Sequence, residues 1–332
     1  MSQTIDCPFI AVPYVAVHPD KINLYTRIEY VKGKRKKDRL LNLRSIPNKH
    51  NGLISVNARR KVSKAIEYLI YLSRDKQLPD SFHGKGFMFK LAFITLTLPS
   101  KQIHTDIEIR DKCLNQFLIE AKRKWNISHY IWKSEKQKNG NIHFHLIVNK
   151  FVPWSELRDC WNRIINKLSY VENYRRNMRD WHSDGFAIRK ELLSFWNEQS
   201  QIKAYQVGKA NDWQSPNSTD VHSLRAIINI KDYFLKYMLK EYQNQGIEGR
   251  LWGCSQSLSD IKGAQLAADF QIRDEIDKLA KSGKFRVYQS DHFSVIYADV
   301  NAIYNEGCFL LFRMFSQFMF ENFNVDIQSS FS

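Results

Sequence analysis

Cysteine is scarce and scattered. The 332-residue chain has five (Cys7, Cys113, Cys160, Cys254 and Cys308) with no Cys-x-x-Cys pair. An odd, dispersed set excludes a disulfide framework and a cysteine-built zinc site. Glycine and proline are also few, 13 and 8, which excludes a low-complexity chain. Apolar runs are short. The longest, Phe309–Phe323, falls below membrane-spanning length and is interrupted by Arg313, Gln317 and Glu321. Those three lie four residues apart, so they form one polar stripe on an otherwise apolar helix. Such a helix is either mostly buried or docks on a partner or membrane surface. No charged region precedes an apolar core at the N-terminus, so no signal peptide is expected and a reducing cytoplasm is the expected compartment. No Gly-x-x-x-x-Gly-Lys-Ser/Thr loop occurs, so no fused helicase domain is expected.

Acidic residues are in deficit. Asp plus Glu number 34 against 50 Lys plus Arg, a net charge of +16. Such an excess favours a polyanionic partner, nucleic acid first among them, although a basic protein need not bind one. The apolar fraction, 43%, is ample for a packed core and excludes wholesale disorder.

Local patterns divide the chain. Short β-like runs at 9–17 and 24–31 lead to a basic cluster containing Lys34, Arg35, Lys36 and Lys37, either a solvated loop or a phosphate-binding one. A helix is expected from Ser55 to Ser73, then a connector rich in Pro, Gly and Ser. A β-pattern over 87–98, a helical period over 106–125, and strands at 129–136 and 141–148 around Asn139-Gly140 follow. A helix from about Trp154 to Leu168 comes next. An insertion at 170–220 with one helix near 190–198, a strand at 221–228 and a helix at 230–242 complete the order. The expected class is α+β: a central five-stranded antiparallel sheet with flanking helices, plus N- and C-terminal extensions. The expected division is 1–85, a basic extension; 86–245, the catalytic domain; and 246–332, mostly helical.

Within Ile142-His143-Phe144-His145-Leu146, strand alternation puts both imidazoles on one face. Two such rings can hold a divalent cation or form an ordinary histidine pair. The neighbouring strand carries Glu135, at a level where its carboxylate either joins the histidines or forms a salt bridge at the hairpin tip. Two imidazoles and a carboxylate suit Mg²⁺ or Mn²⁺. Thr95 and Thr97 share one face of the earlier strand, beside this pair. Tyr233, Lys236, Tyr237 and Lys240 fall on one helical face, with Phe234, Leu235, Met238 and Leu239 facing a core. This is either a nucleophile helix or an amphipathic helix with surface tyrosines.

Phe93-Ile94-Thr95-Leu96-Thr97, then His143-Phe144-His145, then Tyr-x-x-Lys-Tyr-x-x-Lys at 233–240 together resemble the HUH endonuclease superfamily. The two-tyrosine form resembles the rolling-circle initiators of single-stranded DNA phages and plasmids. The resemblance covers about residues 88–245. It implies metal ligation by His143, His145 and Glu135, alternating nucleophiles Tyr233 and Tyr237, and Lys236 against the scissile phosphate. Thr95, Thr97, Lys240 and Lys34 to Lys37 would contact DNA. The implied partners are single-stranded origin DNA and a host polymerase and helicase, with no membrane, in the bacterial host cytoplasm if the chain is phage-encoded. A mobilisation relaxase or single-strand transposase shares this chemistry. A DNA-binding protein without catalysis and a zinc hydrolase of small molecules are the other readings. Finally, Trp154, Trp161, Tyr174, Trp181, Trp196, Tyr205 and Trp213 interleave with Arg175, Arg176, Arg179 and Arg189. This mixture serves either base stacking or core packing.

Overall fold

The structure, a computed structural model, describes residues 9–30, 54–73, 76–77, 88–89, 91–194, 196–223, 230–239, 246–259 and 261–328. The chain divides into two compact units. One joins Met1–Lys49 to Asp260–Ser332, and the other is His50–Ser259.

In chain order the elements begin with the hairpin β1 (Phe9–His18) and β2 (Lys21–Tyr30). The second unit then runs α1 (Val56–Leu72), β3 (Lys76–Gln77), β4 (Met88–Phe89) and β5 (Ala92–Leu96). Next, α2 (Asp106–Ile109) passes through a π-helical stretch, Arg110–Leu114, into α3 (Asn115–Trp125). After β6 (Tyr130–Lys136) and β7 (Ile142–Val148) come α4 (Trp154–Asn166), α5 (Tyr170–Trp181) and α6 (Glu198–Ala210). Then follow β8 (Thr219–Ser223), α7 (Ile230–Leu239), β9 (Trp252–Cys254) and α8 (Gln256–Ser259). The chain returns to the first unit with β10 (Ala264–Ala267), α9 (Phe270–Lys281), β11 (Arg286–Gln289), β12 (Phe293–Tyr297), α10 (Val300–Asn305) and α11 (Phe309–Phe323).

Each unit contains a five-stranded antiparallel sheet. In the first the strand order is β10-β1-β2-β12-β11. A lone hairpin is marginal in water, and here the N-terminal one is completed by strands from the far end of the chain. The contact units therefore divide the chain elsewhere than near 85 and 245. The C-terminal region, expected to be mostly helical, supplies β9 to β12. Short strands whose partners lie more than 200 residues away leave no local period to read. α11 packs on β1 and β10, burying Leu311, Phe315 and Met319 and exposing Arg313, Gln317 and Glu321. The Glu275 carboxylate accepts from the Leu310 and Leu311 amides, both at 2.9 Å, and so caps that helix.

In the second unit the order is β8-β5-β7-β6-β9. Alternation turns Ile94, Leu96, Trp132, Phe144 and Leu146 to one face, where they pack with Phe117, Leu157, Trp161 and Ile165 of α3 and α4. Phe93, Thr95, Ile131, Lys133, Glu135, His143, His145 and Ile147 take the opposite face. α1 begins at Ser55, whose hydroxyl accepts from the Ala58 amide at 3.2 Å, and packs against β6 and α7. The turn at Asn139-Gly140 is longer than a two-residue hairpin. Gln137 and Asn141 close a three-residue loop, with the Gly140 amide donating to the Gln137 carbonyl and Gly140 at φ +84°. The insertion holds two helices, α5 and α6. The residues expected to form one helix near 190–198 make a single 3₁₀ turn, Lys190–Leu192, because Asn197 caps a new helix by accepting from the Ser200 amide at 2.9 Å.

Candidate metal centre

Antiparallel register sets Glu135 opposite His143, and His145 opposite both Thr95 and Lys133. Side chains paired this way project from the same face. His143 Nε2, His145 Nε2 and Glu135 Oε2 therefore converge. The two nitrogens are 3.0 Å apart, and the oxygen lies 3.5 Å from His143 and 3.4 Å from His145. The point equidistant from the three atoms lies about 1.9 Å from each, close to the roughly 2.0–2.2 Å bonds of small divalent cations. Among the described residues this is the one group of three or more His, Cys, Asp or Glu able to hold a metal ion.

The chemistry of the donors agrees with the geometry. Three lone-pair-bearing atoms face one another, which is unfavourable without a cation or shared protons. Glu135 is 6% exposed, and its Oε1 is buried without a hydrogen-bond partner, although Lys133 Nζ forms an ion pair with it at 3.0 Å. Burial alone would raise the Glu135 carboxyl. Hydrogen bonds from His143 and His145 and the charge of Lys133 outweigh it and hold the carboxyl well below its usual range. Burial lowers His145, against the opposing pull of Glu135, so its imidazole resists protonation. Thr95 Oγ1 lies 3.1 Å from His145 Nδ1. That contact fixes the ring and leaves Nε2 to the centre, the usual role of an outer partner to a ligating histidine. Thr95 thus touches the site through His145. Lys133 was missed in the sequence, although alternation with Glu135 already put it on this face.

The other expected residues separate. Thr97 lies just beyond β5, and its hydroxyl donates to the Ser218 carbonyl at 3.1 Å. On α7, Phe234 and Met238 are buried whereas Tyr233 and Lys236 are exposed, as the helical period requires. Tyr237 lies on the same helix, and its side chain is outside the described residues. Lys240 and the cluster Lys34, Arg35, Lys36 and Lys37 are outside them too. His222 and Asp220 pair at 2.6 Å on the edge strand β8, both well exposed, with Asp220 opposite Thr95. No helix among the described residues is long and apolar enough to cross a membrane.

The ordered trio of strand, histidine pair and tyrosine helix lies within one stretch of the second unit. Residues 91–242 match the family model of Replication-associated protein ORF2. The match spans a little under half the chain and contains Thr95, Glu135, both histidines and both tyrosines. No curated protein and no solved structure matches. Similarity to this replication-associated family supports a role in starting DNA replication. The metal-compatible cluster within the matched span gives that role a chemical centre.

Proposed function

We propose that this chain is a rolling-circle replication initiator that nicks single-stranded origin DNA in a divalent-metal-dependent transesterification. The observation that carries the reading is the Glu135, His143 and His145 cluster inside the span similar to the replication-associated family. These three residues would hold Mg²⁺ or Mn²⁺, which supplies Lewis-acid polarisation of a phosphate oxygen. Thr95 positions His145, and Lys133 balances the Glu135 charge. The phenol oxygen of Tyr233 or Tyr237 attacks phosphorus and loses its proton. The bond to the 3′ oxygen breaks and that oxygen takes up a proton. A 5′-phosphotyrosine and a free 3′-hydroxyl primer result, and attack by a 3′-hydroxyl on the phosphotyrosine later closes the circle. An ordinary tyrosine has a pKa near 10, so activation of the phosphate matters more than activation of the phenol, with Lys236 favouring the phenolate. A mobilisation relaxase would use the same chemistry; similarity to a replication-associated family favours initiation.

The test is incubation with Mn²⁺ and a single-stranded oligonucleotide carrying the cognate origin. The expected product is a denaturant-resistant protein–DNA adduct. It should be lost in Tyr233→Phe/Tyr237→Phe and in His143→Ala/His145→Ala. An adduct that persists in the double tyrosine variant would overturn the nucleophile assignment. Cleavage that persists in the double histidine variant would overturn the metal centre.

A further inference from the structure

The insertion between β7 and β8 encloses a cavity of about 550 Å³, within the roughly 300–1,000 Å³ range of small-ligand sites. Its wall is aromatic. The His182 ring stacks on Trp213 at 5.9 Å and 10° and on Phe186 at 6.1 Å and 15°, and Tyr205 packs against all three. Arg158 and Arg189 stand at the same cavity. The wall is held rigidly. Arg175 and Arg179 of α5 both pair with Asp212, and Asp212 and Trp213 occupy the left-handed region at φ +54° and +53°. Two successive non-glycine residues there are strained, and such strain persists where the surroundings enforce it, commonly at functional sites. Gly208 is required beneath: a Cβ would stand 2.3 Å from the Trp213 indole nitrogen. Two polar groups are left over. Trp213 is 9% exposed with its Nε1 unpartnered, and Arg158 Nε is buried without a partner.

A wall built only for packing would close on itself and satisfy its donors. Here a cavity remains, lined by flat rings, with unpaired N–H donors in its wall and guanidinium groups around it. Flat rings select flat ligands, and guanidinium groups select phosphate. The chain is strongly basic, and Asn217, which lines the cavity, sits only three residues before Asp220, the partner of Thr95 in the sheet. Three residues of strand span roughly 10 Å.

We infer that this cavity receives an unstacked base of the single strand, with Tyr205 and His182 as the stacking surface and Arg189 against the adjoining phosphate. The inference rests on the replication reading for the identity of the strand but not on cleavage. The His182 ring suits the task, because burial keeps it below its ordinary range and the Ala187 amide donates to its Nδ1 at 3.1 Å. An uncharged ring with a fixed orientation is a stacking platform.

The experiment uses the full chain in EDTA with a labelled 20-nucleotide oligo-dT, and the same oligonucleotide carrying 2-aminopurine at successive positions. Base stacking of about 1–3 kcal/mol predicts that Tyr205→Ala weakens binding about 5- to 150-fold, while Tyr205→Phe binds as wild type. Arg189→Ala leaves the rings in place and should weaken binding several-fold. At one position, 2-aminopurine fluorescence should be strongly quenched in wild type and restored in Tyr205→Ala. His143→Ala/His145→Ala should keep wild-type affinity. Unchanged binding in folded Tyr205→Ala and Arg189→Ala, or uniform 2-aminopurine signal along the oligonucleotide, overturns the inference. Failure of wild type to form an adduct, with these binding losses intact, would overturn the nuclease reading alone.

Discussion

At the scale of single residues, the centre depends on groups that touch no DNA. Thr95 holds His145 through Nδ1. Thr95→Val removes that contact at nearly constant volume, and an outer partner of a ligating histidine is commonly worth 10- to 100-fold in affinity. Calorimetric titration with Mn²⁺ should therefore show a loss of about 10-fold or more, with little change in melting temperature. Lys133 acts in the opposite sense. Its ammonium, buried with Glu135, repels a divalent ion in the same space. Lys133→Met should tighten Mn²⁺ binding by about tenfold, since charges this close interact strongly even when screened. Weaker binding would mean that Lys133 holds Glu135 in place instead of competing for it. The pH dependence follows from His145. Its folded-state affinity for a proton is lowered, so the unfolded chain takes up a proton first as pH falls. Its contribution to stability is complete above about pH 6.5, the ordinary histidine value, and declines as pH drops below it. Proton competition with the metal at this ring likewise begins below about 6.5. Urea melts of wild type and His145→Gln between about pH 5 and 7.5 should differ in slope accordingly.

Elements carry the centre by register. Glu135 and His143 face each other only because the β6–β7 hairpin closes through three residues with Gly140 at φ +84°. A one-residue slip would turn Glu135 to the apolar face. The position beside Gly140 is open, so Gly140→Ala meets no clash, and its cost is purely the left-handed backbone. That cost is about 1 kcal/mol, or roughly 2–4 °C in melting temperature for a unit of this size. Metal affinity should fall with it if the loop sets register. The loop after β5 is anchored in a comparable way. Trp161 Nε1 donates to the Thr97 carbonyl at 2.7 Å, and Asn141 Nδ2 donates to the Ser100 carbonyl at 2.8 Å. This tryptophan belongs to the core, unlike Trp213 in the insertion, although both looked alike in the sequence.

For the whole molecule, the +16 charge predicts a strong salt dependence of single-strand binding. The slope of log affinity against log salt should be about −0.7 for each phosphate neutralised. A slope near zero would deny the polyanionic partner. The first unit makes a separate prediction, because its sheet takes β10, β11 and β12 from beyond residue 260. Truncation after Ser259 leaves β1 and β2 as a lone hairpin. Hydrogen exchange should then show residues 9–30 unprotected, with the sheet of the second unit still protected.

Much of the second unit was legible because its signals are local. Alternation marked the strands, a 3.6-residue period marked the helices, and Asn-Gly marked the hairpin, which together put Glu135 beside the histidines. The helix Phe309–Phe323 was legible for the same reason. Residues 170–220 were not, since polar and aromatic residues there serve a cavity wall instead of one apolar stripe. The amino-acid order by itself determined the class of fold, the faces of each strand and the candidate donors, all properties of nearest neighbours along the chain. Only the tertiary structure decided that the two chain ends share one sheet, that Thr95 and Lys133 reach the centre, and that the insertion encloses a cavity. Those facts arise from contacts between residues distant in sequence, whose pairing depends on the packing of the whole and leaves no periodic trace.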